Sequence, residues 1–274
     1  MKDVYSGKIC IITGAASGIG RAVAIELAGC GAHLALCDVN MEGLAETKSM
    51  LNGAASVVTQ KLDVADARAI TAYADETAQN IGPADFLFNI AGLTRVGEFA
   101  QTPLSSMEKI MDVNFWGVVR MTKAYLDQLI QTKGVVVNIS SIFGLIGYEG
   151  QTHYCASKFA VRGFTETLKL EMAQHGVGVC SVHPGGVKTN IARSAKVDYL
   201  PNTGKTREQM DEEFDKLAIT SPQKAAQIIM KGAAARNPRI LIGPDARIVS
   251  FVQRCFPKSY TKVLAFYTKD KVLN

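Results

Sequence analysis

KICIITGAASGIG (residues 8–20) is the stretch that decides how the rest of the chain folds. Its opening, KICII (8–12), is a short, nearly continuous apolar run, as expected of a strand covered on both faces. TGAASGIG (13–20) follows at once, with Gly14, Gly18 and Gly20 spaced G-x-x-x-G-x-G. Ile19, Val23 and Leu27 then recur at i, i+4 and i+8, which predicts a helix from Gly18 to Gly29. A strand, a glycine turn and a helix make the first half of a parallel crossover. Glycines permit the turn and let a ligand approach the backbone. The N–H groups of the turn and the helix N-terminus together favour an anion such as a pyrophosphate. Taken alone the loop could be only a tight strand-to-helix turn. Its place at the head of an alternating chain favours the phosphate reading.

That alternation continues outward. HLALC (33–37), SVVTQK (56–61), ADFLF (84–88), GVVVNI (134–139), GVGVCSV (176–182) and RILI (239–242) read as further strands. Helix-length segments lie between them at about 41–51, 66–80, 104–132 (read as two helices), 152–174 and 222–234. The pattern predicts an α/β fold: a Rossmann-type, doubly wound parallel sheet of about seven strands flanked by helices. No Pro/Gly/Ser linker, repeat or low-complexity segment divides residues 1–244, which are expected to form one cofactor-binding and catalytic domain. Residues 189–221 are polar and long for a strand-to-helix connection, as lids over a site often are. Residues 245–274 add a basic, amphipathic tail that reads as two short helices.

Composition narrows the function classes. Hydrophobic residues are 47% of 274, enough for a large core and against disorder. The formal net charge of +5 is concentrated near the C-terminus, where 236–274 hold eight Lys/Arg and two Asp/Glu. No dense basic stripe of the nucleic-acid-binding kind is present. Six cysteines, at 10, 30, 37, 155, 180 and 255, show neither Cys-x-x-Cys spacing nor a Cys/His array, so no metal site is expected and they read as buried apolar residues. This usage suits a reducing cytosol. No signal-peptide pattern or apolar run of membrane-spanning length occurs.

Asp38 ends the second strand about 20 residues beyond the glycine turn, where a carboxylate can hydrogen-bond an adenosine ribose. A carboxylate there repels a 2′-phosphate, and neither Ser17 nor Val39 supplies the cation that phosphate would need. NAD is therefore expected over NADP. A solvated aspartate at a strand end is the plain alternative.

HYCASKFA (153–160) places Tyr154 and Lys158 on one helix face, a turn apart. A free phenol, with a pKa of about 10, is a poor base at neutral pH. A nearby ammonium, and the positive ring of an oxidised nicotinamide, would stabilise the phenolate and let Tyr154 exchange a proton with an alcohol or carbonyl oxygen. The motif alone is weak, since Tyr267 and Lys271 share the spacing with no companions. Ser141 distinguishes the first pair. It lies 13 residues before Tyr154, just past the fifth strand, where it can donate to the reacting oxygen. His153 should point off the Tyr154 face and read as a surface or rim residue. Cys155 reads as packing, and His183 as a satisfied strand-end histidine or a residue lining the site. Asn114 could simply cap or kink a helix.

TGAASGIG, NIAG (89–92), Asn114, Ser141, YCASK (154–158) and PGGVKT (184–189) together resemble, in order and spacing, the short-chain dehydrogenase/reductase family, single-domain branch, over about residues 7–243. The resemblance implies a catalytic set of Asn114, Ser141, Tyr154 and Lys158, with Asn114 holding a water that links Lys158 to a proton relay. It also implies cofactor contacts from Gly14, Ser17, Gly18, Ile19, Gly20, Asp38, Tyr154 and Lys158. Asp63 and Val64 would contact adenine, and Asn89, Ala91 and Gly92 would line the cofactor. Val187 and Thr189 would hold the nicotinamide carboxamide, and Pro184 and Gly185 would also contact the cofactor. NIAG departs from the usual pattern, with Ile90 where a second Asn is common.

The expected activity is NAD-dependent interconversion of a secondary alcohol and a ketone. The alternative from another class is an NAD-binding sensor or scaffold with vestigial activity. Leu93, Ser141, Ile142, Phe143 and Tyr148 are expected near the reacting centre and suggest a mostly apolar substrate. The resemblance implies a homodimer or homotetramer through helices 113–132 and 152–174. The tail is expected to cover the pocket or a subunit contact, with a weak membrane-surface contact as the alternative. The expected location is cytoplasmic, or peripheral to a membrane.

Overall fold

Seven parallel strands form the main sheet of the computed structural model, which describes residues 1–189 and 218–268, with residues 196, 197, 209 and 212 between them. The elements begin with a single-turn helix α1 (Lys2–Tyr5) absent from the sequence expectations, then β1 (Ile9–Thr13), α2 (Gly18–Gly29), β2 (His33–Asp38) and α3 (Met41–Ser49). They continue with β3 (Ser56–Lys61), α4 (Ala67–Ile81), β4 (Phe86–Asn89), β5 (Arg95–Val96) and α5 (Leu104–Met111). A π-helical turn (Asp112–Trp116) runs without a break from α5 into α6 (Gly117–Thr132), followed by β6 (Val135–Ile139), α7 (Thr152–Met172) and β7 (Gly178–Pro184). The remainder is β8 (Lys196–Val197), α8 (Pro222–Ala234), β9 (Arg239–Ile242), α9 (Pro244–Cys255) and α10 (Tyr260–Thr268).

Local chemistry sets several of these boundaries. The Asn40 side chain accepts from Gly43 N at 3.1 Å and starts α3. Asp66 accepts from the N–H groups of Arg68 and Ala69 and starts α4. Ser221 caps α8, with Pro222 at its first position. Strands β6 and β7 are buried along their whole length, which accounts for their largely apolar character.

The strand order is β3-β2-β1-β4-β6-β7-β9, so it reverses between β1 and β4, with β2 and β4 flanking β1 on opposite sides. A doubly wound sheet opens a crevice beyond the strand ends at such a point. Apolar layers cover both faces of the sheet: Val23, Leu27, Ile229 and Met230 on one, Ile70, Tyr125, Leu129 and Leu168 on the other. A third, smaller cluster joins Leu145 and Ile146 to Val252, Leu264 and Ala265 of the C-terminal helices.

Two expectations change. Segment 104–132 is one continuous helical run rather than two separate helices, because the π turn absorbs an extra residue without breaking it. β5 and β8 form a small parallel pair, Arg95↔Lys196 and Val96↔Val197, too short to leave a periodic trace in the sequence. Apart from that pair, most of the expected lid at 189–221 lies outside the described residues. Among the described residues no helix is long and apolar enough to cross a membrane.

Candidate active site

The glycine turn sits at the reversal. Gly14 has φ +69°, and a Cβ there would lie 2.8 Å from both Cα and N of Ala91, so the β1 and β4 loops touch through backbone. Thr13 Oγ1 locks this approach by accepting from Ile90 N and Ala91 N, each at 3.0 Å. Gly18, at φ +53°, faces the methyl group of Thr189. Ser17 stands at the N-cap of α2 but makes no side-chain capping bond, which leaves the first helical N–H groups for another acceptor. Such a cradle fits a pyrophosphate. Beside it, Asp38 Oδ2 accepts from Ala16 N at 3.1 Å and Oδ1 from Asn40 N at 3.0 Å. The half-buried carboxylate retains lone pairs for a hydroxyl partner.

Of the other expected cofactor residues, Val64 is buried against Gly117 and Asp63 is exposed, turning its Oδ1 to Ala65 N. Asn89 is buried, and its Nδ2 donates to Thr122 Oγ1 and Asn138 Oδ1. Val187 is buried and bridges to Thr220, while Thr189 N bonds back to Val187 O at 2.8 Å. Pro184 ends β7, and Gly185 N donates to Ile242 O. Asp245, the acidic residue in the first turn of α9, accepts from Gly186 N at 2.6 Å and so ties this loop to the C-terminal segment.

The chemical end gathers at the C-terminal ends of β4 and β6. Lys158 is 3% exposed and donates from Nζ to Ile139 O at 3.0 Å. Nζ lies 5.6 Å from the centre of the Tyr154 ring. Asn114, in the π turn, clamps the loop after β4: Oδ1 accepts from Leu93 N and Nδ2 donates to Leu93 O, both at 2.9 Å. Nδ2 also donates to Ser157 Oγ at 3.1 Å, and Ser157 donates to Tyr154 O. Asn114 thus combines the helix irregularity with a set of specific contacts. A Cβ on Gly92 would fall 3.2 Å from Asn114 Oδ1 and 3.5 Å from Lys158 Nζ, so that glycine brings the backbone close to both.

Ser141 Oγ accepts from Phe143 N at 3.1 Å, which leaves its own proton to be donated, and the Tyr154 phenol lies within reach of that hydroxyl. Its carbonyl is held by His183 Nδ1 at 3.1 Å, and Ser181 Oγ lies 2.9 Å from Nε2. Because a carbonyl only accepts, His183 carries its proton on Nδ1 and receives one from Ser181. Burial pushes the His183 pKa down to about 4, so it stays neutral. Phe143 packs edge-on to Tyr154 at 6.2 Å and stacks on Tyr148 at 4.9 Å, which puts two of the expected substrate residues in an aromatic wall beside the phenol. Ile142 is half-buried next to Phe143, and Leu93 is half-buried on the Asn114 clamp.

One sequence expectation is corrected. His153 is not a surface or rim residue. It is 3% exposed, with Nε2 3.0 Å from Arg95 O. Around Tyr154, burial pushes the phenol up to about 12, against an opposing pull from Ser141. Burial also lowers Lys158 to about 8. Cys155 is buried, as are Cys10, Cys37 and Cys180, whereas Cys255 is exposed. The second Tyr-x-x-x-Lys pair, Tyr267 and Lys271, falls outside the described side chains.

Sequence reasoning passed over Thr13, Ser140, Ser157 and Ser181, which hold the site's backbone. Ser140 Oγ, for example, donates to Lys158 O at 2.8 Å. Their signal is a hydroxyl residue ending or interrupting an apolar run, too common to single out unaided.

A family model described as short chain dehydrogenase matches residues 8–199. SadH of Mycobacterium tuberculosis is 43% identical over 266 residues, covering 95% of each chain. Dehydrogenase/reductase SDR family member 7B of Xenopus laevis is 31% identical over 272 residues, covering 96% of this chain and 82% of the other. The crystal structure of a short chain dehydrogenase/reductase from Burkholderia phymatum in complex with NAD superposes with a TM-score of 0.80 at 27% identity, covering 91% of this chain and 94% of that one.

Proposed function

The chain belongs to the short-chain dehydrogenase/reductase family, an oxidoreductase family, and within it we propose an NAD-dependent enzyme that interconverts a secondary alcohol and a ketone on a mostly apolar substrate. The observation that carries the reading is the convergence of Ser141, Tyr154, Lys158 and the Asn114 clamp beside the glycine cradle. Bound nicotinamide supplies the hydride acceptor or donor. Gly14, Ser17, Gly18, Ile19 and Gly20 would hold the pyrophosphate, and Asp38 the adenosine ribose, which favours NAD over NADP. Asp63 and Val64 lie toward adenine in this reading. Asn89, Ala91 and Gly92 form the floor, and Pro184, Gly185, Val187 and Thr189 hold the carboxamide end.

Ser141 donates its hydroxyl proton in a hydrogen bond to the reacting oxygen and orients it. Tyr154 takes the alcohol proton in oxidation and returns one in reduction. Lys158 supplies positive charge beneath the phenol, and Asn114 organises the proton path behind it. Leu93, Ile142, Phe143 and Tyr148 exclude water and select apolar substrates. Tyr154→Phe should retain NAD binding, read by fluorescence or calorimetry, and lose turnover. Wild-type-like turnover in that variant rejects the assignment.

The raised phenol of the ligand-free chain is what a cofactor-binding sensor would also show. Tight NAD binding with silence across a panel of apolar alcohols and ketones would select that second reading. Assembly into a homodimer or homotetramer through α6 and α7 is supported by an open apolar groove lined by Phe115, Ala160, Gly163, Phe164 and Thr167, with Leu170 70% exposed nearby on α7. The enzyme would work in the cytoplasm or at a membrane surface, which the basic tail contacts weakly.

A further inference from the structure

Helix α9 has two unlike faces. Ala246 and Val252 are buried, and Val252 and Val249 pack with Leu145, Ile146, Leu264 and Ala265. The other face carries Arg247, Ile248, Phe251, Arg254 and Cys255, all exposed, with Ile248 at 57% and Phe251 at 65%. At about 100° per residue these five positions fall within an arc of roughly 120°. Exposed Phe256, Lys258 and Lys262 continue the same chemistry beyond the helix. From Ala246 to Ala265 there are four cations and no acidic residue.

We propose that this face of α9 is a docking surface for an anionic phospholipid bilayer, and that docking turns the substrate pocket toward the membrane. Phe251 and Ile248 enter the interfacial region while Arg247 and Arg254 meet lipid phosphates, the division of labour of an interfacial amphipathic helix. A second copy of the chain fits this face poorly. A two-fold contact would set the same patch against itself and bring like charges together with no acid to offset them.

The back of α9 reaches the site. Its buried face packs on the 142–148 segment, Tyr260 Oη accepts from Gly147 N at 3.1 Å, and Phe143 of that segment touches Tyr154. The helix that carries the docking face thus packs on the segment that walls the phenol, which would give a membrane-dissolved substrate a short path. The second half of the proposal rests on the apolar-substrate reading above; the docking itself does not.

Docking is therefore measured without turnover. Full-length protein is sedimented with vesicles of phosphatidylcholine alone or of phosphatidylcholine with phosphatidylglycerol. Binding should be at least about tenfold stronger to the anionic vesicles and should fall steeply with added salt. The pairs Arg247→Glu/Arg254→Glu and Ile248→Asp/Phe251→Asp should each lose about tenfold or more, with unchanged melting temperature and unchanged turnover of a short, water-soluble alcohol. Tyr154→Phe should bind vesicles like wild type, which keeps this test apart from the catalytic one. Equal binding to both vesicle types, or no loss in either paired variant, overturns the proposal. So does a change in molar mass by light scattering in the paired variants without lipid, which would make the face a subunit contact.

Discussion

Replacing Lys158 with methionine should leave the Tyr154 phenol of the ligand-free protein almost where it is. Burial holds Tyr154 at about 12 and Lys158 at about 8. Four pH units separate them, so the phenolate–ammonium pair lies about 5 kcal/mol above the phenol–amine pair. If the ammonium were charged while the phenol titrates, its position 5.6 Å from the ring would matter. At an effective dielectric near 20 it would contribute about 3 kcal/mol, or about two pH units. It is neutral by then, so the expected change on Lys158→Met is less than about half a pH unit. Phenolate absorbance, read as wild type minus Tyr154→Phe, isolates this one group. Tyr5, Tyr73 and Tyr125 are pushed well above the usual range by burial and stay silent. No Tyr154 signal should appear below a pH of about 11 without ligand. Saturating NAD⁺ should lower the midpoint by about two pH units or more, NADH should not, and Lys158→Met should remove part of the NAD⁺ effect. A ligand-free midpoint at or below about 10, or a rise of about two pH units on Lys158→Met, would refute this account of the pair.

Two further outcomes follow from contacts near the site. His183 is held at about 4, so between that pH and its ordinary value near 6.5 the unfolded chain takes up a proton that the folded chain refuses. Stability should be complete above about 6.5 and fall by about 3 kcal/mol as pH drops through 4. Urea unfolding should show the advantage of wild type over His183→Asn shrinking across that window, and a constant difference would contradict it. Asp245→Ala removes the acceptor of Gly186 N and should weaken NAD binding about 5- to 30-fold, with Asp245→Asn recovering most of the loss through its amide oxygen. Identical affinity in all three proteins would show that the tie to the C-terminal segment leaves the cofactor loop unaffected.

The sequence by itself determined the elements and their kinds. An apolar run meeting a glycine turn and a 3.6-residue stripe is local information, and KICIITGAASGIG with the stripe to Leu27 carries it within residues 8–27. RILI and the 222–234 segment were legible for the same reason, and Ser141, Tyr154 and Lys158 were legible because their spacing is a spacing along the chain. Tertiary structure alone decided what those groups are chemically. Ionisation depends on how much water a fold removes, and partners arrive from distant sequence: His183 on Ser141 across 42 residues, Ser157 on Asn114 across 43, Tyr260 on Gly147 across 113. Burial sets the ionisation of the Tyr154 phenol, which spacing does not record, hid His153, and turned one face of α9 toward the site and the other toward solvent. Periodicity records which residues are apolar; only packing determines what they exclude.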